Sequence, residues 1–507
     1  MAPRDDDALL VVLGDQLFPP DYVAESGCRA VFMAEDWGLC TDVRHHQQKI
    51  VLFLAAMRHY ADTLRENGYS VHYQELETDD PPDYEGRLEA VVRSLGVTRI
   101  VHFEVEDKPM EQRLLAFAER LGLERHVLSS PGFLCSRERF ADFARNSKRL
   151  RMAEFYRRER LRERILVEQD GAPTGGRWSF DEENRKKLPK HVHPPEIPVA
   201  EHSGHVRDVI ALVEKHFSGH PGNAADFWWP VTRQAALAWL DDFVEERLAS
   251  FGPYEDAISR RSDTVFHSVL SPLINIGLVT PGEVVEAALR AGERDSLPIQ
   301  SIEGFVRQVI GWREFVRGVY RHYSDEQASR NFWNHEREFT DHWYAGDTGI
   351  PILDDTIKTA LRRGWTHHIP RLMVLGNLMT LCEIRPESAH RWFMEMYVDS
   401  ADWVMGPNVY GMGIFSDGGV FATKPYICGS NYLRKMSDYP TGDWCDVVDG
   451  LYWRFIDRHR DFFQGNPRLA LMPRALDRLE STRREKIFAA AEEFLQRVTR
   501  SSSSRND

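Results

Sequence analysis

The chain has few cysteines, no long hydrophobic run and no excess of basic residues. Its 507 residues include only six cysteines, and these are scattered, so no disulfide framework is predicted and a reducing compartment is expected. No apolar run is long enough to cross a bilayer. The first residues, Met-Ala-Pro-Arg-Asp-Asp-Asp, are acidic where a secretory signal is basic. These absences predict a cytosolic protein, and the length predicts two or more domains.

The formal net charge is −14, which argues against a protein that coats nucleic acid indiscriminately. Phosphate binding depends on where Lys and Arg cluster, and residues 145–164 are rich in arginine. One interpretation of this segment is a solvated helix whose arginines pair with its glutamates. The other is contact with nucleic acid, for which the candidate residues are Arg157, Arg158, Arg185 and Lys186.

The N-terminal part has no GxGxxG fingerprint, so a Rossmann dinucleotide site is not expected there. It alternates short β-rich runs (residues 8–13, 29–33, 70–73 and 99–103) with amphipathic stretches (49–67 and 110–121). This rhythm predicts βαβ units in a parallel sheet, whose ligand crevice lies at the carboxyl ends of the strands. Gly14-Asp15-Gln16 follows the first run and would lie in that crevice.

From residue 230 onward there is no convincing strand pattern, and apolar residues recur with helical spacing. The clearest stretches are residues 234–248, 302–320, 356–363, 368–381 and 484–498. We therefore predict an α/β domain (residues 1–135) joined by a basic linker (136–229) to an all-helical domain (230–500). Residues 501–507 are predicted to be a disordered tail.

Two adjacent histidines, His367 and His368, start one of these helices, and Arg371 follows. A histidine has an unperturbed pKa of about 6.5 and can hold or release a proton near neutrality. Successive helical residues point about 100° apart. The two histidines are therefore predicted not to face the same target, whereas Arg371 shares the face of His368. Spacing alone equally fits a histidine pair that starts a core helix.

Several motifs resemble those of the photolyase/cryptochrome family. His267-Ser268-Val269-Leu270-Ser271-Pro272 is similar to the segment that holds the flavin diphosphate in that family, and residues 303–315 are similar to its helix beside the flavin. Further matches are Trp403, Pro407-Asn408 and Asp417-Gly418-Gly419. The motifs that look like the bacterial 6-4 photolyases of the iron–sulfur subgroup are Gly14-Asp15-Gln16-Leu17, His45-His46, residues 175–181, His367-His368 and Lys424-Pro425-Tyr426. The resemblance spans nearly the whole chain and implies a monomer in the bacterial cytosol or nucleoid.

The resemblance implies an FAD cofactor in the helical domain. The residues that would bind it are His267, Ser268, Leu270, Ser271, Glu303, Arg307, Trp312, Asp399 and Asn408. By chemistry alone, serine hydroxyls and backbone N–H groups at a helix start suit a pyrophosphate, but they also suit an ordinary helix cap. The resemblance makes Trp392, with Trp343 and Tyr344, an electron-transfer chain to the flavin, whereas a buried tryptophan is by default a core residue.

The resemblance also implies light-driven repair of 6-4 photoproducts in UV-damaged DNA, by electron transfer from photoexcited, reduced FAD. Such a reaction needs a general acid with a pKa near neutrality. His368 matches the family's acid, with His367, Arg371 and Tyr426 in support, and the damaged base would be flipped out of the duplex. Two alternatives are a blue-light receptor with a signalling output and a cyclobutane dimer photolyase, which needs no histidine acid.

Two further sites follow from the same resemblance. Asp181 matches a position that the subgroup associates with a divalent cation, which implies a Mg²⁺ site. An antenna chromophore, 6,7-dimethyl-8-ribityllumazine, would lie in the crevice of the α/β domain. Its candidate residues are Gly14, Asp15, Gln16, Leu39 and His45, and Leu39 stands where relatives have a glutamate that contacts the chromophore.

A [4Fe–4S] cluster requires four cysteine thiolates. Where the subgroup supplies them, this chain has Ile350-Pro351-Ile352 and the segment 440–446. Cys382, Cys428 and Cys445 remain in the helical domain, too few and without a close pair. We therefore predict that the cluster is absent and that a packing loop with Trp444 replaces it.

Overall fold

The computed structural model describes residues 5–76 and 83–501. Most of the predicted tail, residues 502–507, lies outside the described residues, whereas Ser501 ends a short strand. None of the helices in the described part of the chain combines the length and the apolarity required to span a bilayer.

The N-terminal region contains five parallel strands in the order β3-β2-β1-β4-β5. They are β1 (Asp5–Val11), β2 (Cys28–Ala34), β3 (Ser70–Gln74), β4 (Arg99–Phe103) and β5 (Glu124–Leu128). The predicted parallel sheet is confirmed. The sequence pattern does not predict β5, because this edge strand is largely exposed and carries polar residues where a buried strand has apolar ones.

Five helices accompany the sheet: α1 (Pro20–Ala24), α2 (Trp37–Thr41), α3 (Gln47–Glu66), α4 (Tyr84–Leu95) and α5 (Lys108–Leu121). The start of α3 is fixed to the helical domain. His46 Nδ1 accepts from the backbone N–H of Gln48 (3.2 Å), and His46 Nε2 donates to the carbonyl oxygen of Leu361 (3.0 Å). The side-chain amide of Gln48 donates to the carbonyl oxygen of Arg362 (2.9 Å). These bonds set the position of the sheet against the helices.

The segment between the two domains carries three helices of its own: α6 (Arg137–Arg145), α7 (Met152–Glu163) and α8 (Gly204–His216). Their apolar residues belong to the two large hydrophobic cores of the molecule. One core extends from the sheet through α3 and α8 into the first helices of the C-terminal region. The second core lies in the rest of the helical domain around Trp343 and Trp392.

The C-terminal region is helical, as predicted. Its helices are α9 (Arg233–Glu246), α10 (Leu248–Tyr254), α11 (Ser271–Asn275), α12 (Pro281–Asp295), α13 (Ile299–Val306), α14 (Glu314–Ser329), α15 (His342–Ala345), α16 (Pro351–Arg363), α17 (Asn377–Leu381), α18 (Pro386–Met396), α19 (Asp402–Gly406), α20 (Ser430–Met436), α21 (Trp444–Arg458), α22 (Arg460–Gly465), α23 (Leu471–Asp477) and α24 (Ser481–Val498). The expectation that this region has no strand is wrong in one detail. Two three-residue strands, β6 (Arg337–Phe339) and β7 (Thr499–Ser501), pair antiparallel, and segments so short and so far apart leave no periodic signal.

Three stretches of the helical domain are π-helical: Arg307–Arg313, Pro370–Gly376 and Pro407–Gly413. The first two interrupt the long helices predicted at residues 302–320 and 368–381. A π-helical turn closes over five residues, is rare and occurs mostly at functional sites. All three stretches contribute side chains to one cavity, which is therefore the candidate site.

Candidate active site

The site is a two-lobed cavity inside the helical domain, called here the central cavity. Its lobes have volumes of about 210 Å³ and about 240 Å³, which together suit a ligand of cofactor size. Both lobes are lined by Ser271, His368, Asp399, Val404, Asn408 and Met412. Trp312 and Phe305 add apolar walls to the second lobe, and Trp365 and Phe393 add them to the first.

The two adjacent histidines line the same lobe, which contradicts the prediction that they face different targets. The helix begins at His368, so His367 has no helical geometry and the 100° rule does not apply to this pair. The ring of His367 stacks on that of His267, with centroids 4.3 Å apart. His267 Nε2 donates to the carbonyl oxygen of Glu255 (2.9 Å), whereas the buried Nδ1 of His367 has no hydrogen-bond partner.

His368 is accessible where it faces the open cavity. Elsewhere the protein encloses it, and this desolvation lowers the pKa of its imidazole to about 4, with repulsion from Arg371 and Arg307 acting in the same direction. Burial also lowers the pKa of His267 to about 4 and that of His367 well below its ordinary value. All three imidazoles are therefore neutral at pH 7. Because His368 borders the cavity, whatever fills the cavity will change its pKa.

A charged pair lies beside His368. Arg371 donates through Nη1 and Nη2 to the two carboxylate oxygens of Asp399 (2.9 and 3.0 Å). Its guanidinium also lies 3.9 Å from the ring centre of Tyr397. Ser271 Oγ donates to Asp399 (2.6 Å) and accepts from Trp365 Nε1 (3.0 Å). This bidentate geometry orients Asp399 firmly at the junction of the two lobes.

Six of the predicted cofactor residues line the central cavity: His267, Ser268, Ser271, Trp312, Asp399 and Asn408. Leu270 is fully buried in the core instead. Glu303 and Arg307 line neither lobe. Glu303 accepts from the backbone N–H of Phe180 (2.9 Å) and pairs with Arg307 (3.5 Å), so the two residues hold the interdomain segment against α13.

Asp181, the predicted Mg²⁺ residue, lies in a cluster of charged groups. Its carboxylate pairs with Arg185 (2.5 Å) and Arg307 (3.4 Å). Burial, and repulsion from Asp181, raise the pKa of Asp256 to about 6. Tyr426, predicted to support His368, lines neither lobe of the central cavity. Burial raises the pKa of its hydroxyl, and the negative charge of Asp181 acts in the same direction.

The three predicted electron carriers lie close together. Trp392 is fully buried on α18, and its indole N–H donates to the carbonyl oxygen of Trp343 (3.0 Å). Tyr344, the next residue, is partly exposed beneath the guanidinium of Arg44, 5.1 Å from its ring centre. Phe393 contacts Trp392 (ring centroids 5.4 Å apart) and lines the central cavity. An aromatic path thus leads from the cavity toward the surface.

A second cavity of about 220 Å³ lies between the sheet and the helical domain and is called here the interdomain cavity. Of the predicted antenna residues, Gly14, Asp15, Leu39 and His45 line it. Gln16 is buried beside it and donates to the carbonyl oxygen of Glu104 (3.1 Å). The prediction that the crevice lies at the carboxyl ends of the strands therefore locates a real cavity.

Arg157 and Arg158 lie on the exposed face of α7. Among the described residues neither makes an ion pair; Arg157 covers the ring of Trp178 (4.9 Å) and Arg158 that of Phe143 (5.4 Å). Two glutamates of the same helix pair with Arg139 of α6 instead. Lys186 is exposed, and Arg185 is exposed but paired with Asp181. Arg157 and Arg158 are thus available for phosphate contacts.

The two segments where the resemblance implied cluster cysteines, residues 350–352 and 440–446, contain buried apolar side chains. Ile350 and Ile352 are fully buried. Trp444 begins α21 and donates to the carbonyl oxygen of Pro440 (3.1 Å). In the described part of the chain, no three His, Cys, Asp or Glu side chains are grouped so that they could hold a metal ion. Absence of the cluster stays a prediction, and iron analysis of the purified protein tests it.

Sequence reasoning did not single out several residues of the two cavities. Phe393, Gln308 and Met412 line the central cavity, and their apolar or amide character is common throughout the helices. Lys49 lines the interdomain cavity. A signal for Lys49 exists, because it stands four residues after His45 at the start of a strongly apolar helix, where a buried lysine needs partners.

Comparison with known proteins decides the family. Residues 10–229 match the family model for deoxyribodipyrimidine photo-lyase-related proteins, and residues 305–437 match that for the FAD binding domain of DNA photolyase. The chain is 33% identical over 504 residues to the (6-4) photolyase of Agrobacterium fabrum, an alignment that covers 97% of this chain and 99% of that protein. This chain belongs to the photolyase/cryptochrome family. More distantly, it is 27% identical over 222 residues, 42% of its length, to a deoxyribodipyrimidine photo-lyase of Alkalihalophilus pseudofirmus, of which 44% is covered.

Solved structures show the same two-domain fold. A bacterial class III photolyase from Agrobacterium tumefaciens superposes with a TM-score of 0.59 at 19% identity, over 96% of this chain and 98% of that one. A cryptochrome from Synechocystis superposes with a TM-score of 0.58 at 13% identity, over 98% and 100% of the two chains. The predicted architecture, a parallel α/β domain joined to a helical domain, is therefore confirmed.

Proposed function

We propose that this photolyase-family protein repairs 6-4 photoproducts in UV-damaged DNA. The position of His368 carries the proposal: it borders both lobes of the central cavity, beside the Arg371–Asp399 pair. A cyclobutane dimer photolyase needs no histidine acid at this place. The full-length similarity to a protein named (6-4) photolyase supports the same choice.

The residues of the central cavity fit FAD. Trp312, Phe393 and Met412 give the cavity apolar walls that suit a planar ring system, and Asn408 lines both lobes. The unpartnered Nδ1 of His367 is a buried polar atom that a bound ligand would satisfy. When bound in its reduced form, FAD supplies a light-driven electron to the damaged base.

The chain's own residues then orient the reactants and supply the proton. In its protonated form, the imidazolium of His368 gives an N–H proton to the group of the damaged base that must migrate and is left as neutral imidazole. The Arg371–Asp399 pair keeps the junction of the lobes rigid. Trp365 and Phe393 exclude water from the first lobe. Arg157, Arg158 and Lys186 bind the DNA backbone, and their contacts weaken with salt.

The pKa of His368 sets a condition on this mechanism. In the open cavity its imidazole is mostly neutral at pH 7, because its pKa is lowered to about 4. Negative charge from a bound DNA strand would favour the protonated form and raise this pKa. We therefore expect the repair rate to increase as the pH falls from 9 toward the pKa of the complex.

Illumination of the purified, reduced protein with matched oligonucleotides tests the function. One carries a 6-4 photoproduct, the second a cyclobutane dimer and the third no lesion, and chromatography follows each product. Reversal of only the 6-4 photoproduct is expected. Reversal of only the dimer contradicts the assignment in favour of the other photolyase class. Reversal of neither favours a blue-light receptor.

The remaining ligands are proposals of the same kind. We propose that the interdomain cavity holds an antenna chromophore such as the ribityllumazine, which extraction and chromatography would identify. A Mg²⁺ ion at Asp181 would have to displace Arg185 from its carboxylate, and a repair assay with added chelator tests whether such an ion is needed.

Transient absorption of the Trp392→Phe variant tests whether electrons travel along the aromatic path.

A further inference from the structure

Lys49 on α3 reaches from the sheet domain into the helical domain. Its side chain is 8% exposed. The ammonium Nζ donates to the carbonyl oxygen of Ser400 (2.9 Å) and to Ser400 Oγ (3.0 Å), and it lies 3.2 Å from His45 Nδ1. An ammonium group has three N–H donors, so each donor has one acceptor here.

The state of His45 supports this assignment. Burial lowers the pKa of His45 to about 4, so its imidazole is neutral at pH 7. His45 Nε2 lies 2.7 Å from the carboxylate of Asp42, which can only accept, so the ring proton is assigned to Nε2. Nδ1 is then free to accept from Lys49. The pair Asp42–His45 therefore orients the lysine.

The segment that Lys49 holds leads directly into the central cavity. Ser400 follows Asp399, whose carboxylate binds Arg371 and Ser271. The carbonyl oxygen of Asp399 accepts from the side-chain amide of Asn275 (3.1 Å). Asp399 lines the central cavity and the interdomain cavity alike. The wall between the two cavities is thus one residue thick at this point.

We propose that Lys49 is a positioning residue for the flavin site: from the sheet domain it fixes the Asp399–Ser400 segment so that Asp399 keeps its bidentate contact with Arg371. The proposal rests on the proposed function only in taking the ligand of the central cavity to be a flavin. The lysine touches neither lobe of that cavity, and it acts through Ser400 and Asp399.

The contact is sensitive to pH. Burial lowers the pKa of Lys49 to about 8, while Asp42 and Cys40 of its own domain and Asp399 and Asp402 of the helical domain favour the charged form. His45 faces it as a neutral acceptor. Above pH 8 the amine has two donors for three acceptors. The hold on Ser400 therefore weakens as the pH rises through about 8.

Lys49 is expected to lower the stability of the fold but to strengthen flavin binding, so the two effects can be measured separately. A lysine whose pKa is lowered in the folded protein opposes folding below that pKa, because the unfolded chain binds the proton more tightly. Replacement of Lys49 by methionine removes that cost. We therefore expect Lys49→Met to leave the unfolding midpoint of the flavin-free protein unchanged or higher, while flavin binding becomes weaker.

The experiment titrates the flavin-free full-length protein with FAD, followed by flavin fluorescence, from pH 6.5 to 9.5. For the wild type we expect the affinity to fall as the pH passes about 8. Lys49→Met should bind about tenfold more weakly at pH 7, as expected for loss of hydrogen bonds from a charged group, and should show no fall near pH 8. Lys49→Arg, whose guanidinium stays charged, should recover most of the affinity and keep it to pH 9.5.

Lys108→Met is the matched control. Lys108 also joins the sheet domain to the helical domain through a serine, with Nζ 2.6 Å from Ser324 Oγ, but it lies outside both cavities. Its replacement should leave FAD affinity and the pH profile unchanged. Equal losses in the two methionine variants, a lower unfolding midpoint of Lys49→Met, or persistence of the fall near pH 8 in that variant would each overturn the proposal. These titrations need no DNA, so a failure of lesion repair leaves their outcome unaffected.

Discussion

The central cavity and the interdomain cavity share Asp399 but differ in how their charges are balanced. In the central cavity the acid at the junction is paired with Arg371 in a bidentate contact. The interdomain cavity is lined by the acids Asp15, Glu35, Asp36, Asp42, Asp107, Asp399 and Asp402. Arg58 and Arg87 pair with Glu35 and Asp36, whereas burial raises the pKa of Asp15, Asp107 and Asp402.

This difference has a physical consequence. The bidentate contact with Arg371 fixes the orientation of the Asp399 carboxylate in the central cavity. Asp15, whose pKa is raised to about 7, changes charge near neutrality, so the charge of the interdomain cavity depends on pH. We infer that the central cavity holds its ligand in a fixed orientation. In the interdomain cavity, the electrostatic field at a ligand changes with pH.

The largest effect on activity should come from replacing His368, which lines the central cavity. We expect His368→Asn to lower 6-4 photoproduct repair at least a hundredfold, as for loss of a general acid, while FAD stays bound. His367→Asn, beside it in the same lobe, should weaken FAD binding more than it slows repair of the saturated enzyme. Single-turnover repair and FAD titration separate the two. Equal effects of the two substitutions would contradict the assignment of the acid role to His368 alone.

A comparison of two aspartates three residues apart comes next. Asp399→Asn leaves the largely buried Arg371 without its countercharge and should lower the free energy of unfolding by about 3 kcal/mol. Asp402→Asn replaces an acid whose ionised form is already disfavoured by burial, so the free energy of unfolding should stay the same or rise. Urea denaturation at pH 7.5 measures both. A loss of similar size in the two variants would contradict the proposed difference between the cavities.

Asp15 provides the pH test of the interdomain cavity. Its pKa is raised from 3.8 to about 7, so between these values the folded protein binds more protons than the unfolded chain. Its contribution to stability is therefore complete below about pH 4 and is lost as the pH rises to 7. Asp15→Asn should be more stable than the wild type by roughly 1 kcal/mol at pH 8, because the side chain is only partly shielded from the cavity. No gain is expected at pH 4, and a gain of equal size at both pH values would argue against the raised pKa.

The smallest effect should come from the exposed arginines of α7, outside both cavities. We expect Arg157→Ala to weaken binding of damaged and undamaged duplexes equally and to lower the slope of log affinity against log salt by about 1. Arg139→Ala is a suitable control, because that arginine is already paired with glutamates of α7. A salt titration by fluorescence anisotropy measures the slopes. An unchanged slope for Arg157→Ala would exclude this residue from the DNA contact.

The amino-acid sequence determined the architecture and most of the central cavity. Short β-rich runs that alternate with amphipathic stretches predicted the sheet, and apolar residues with a period of 3.6 predicted the helices. The motifs around Ser268, Trp312, His368 and Asn408 predicted residues that the structure brings to one cavity. The polar edge strand β5 and the short strands β6 and β7 do not stand out as β-rich apolar runs, and they were not predicted.

Only the tertiary structure decided which side chains meet. That His367 and His368 line the same lobe depends on the helix beginning between them, and that Glu303 and Arg307 hold the interdomain segment depends on where Phe180 and Asp181 come to lie. Lys49 reaches Ser400 across 351 residues of chain. Local periodicity reports how a segment buries its own faces, whereas contacts of this range depend on how separate elements dock, and the sequence of one element carries no record of its partner.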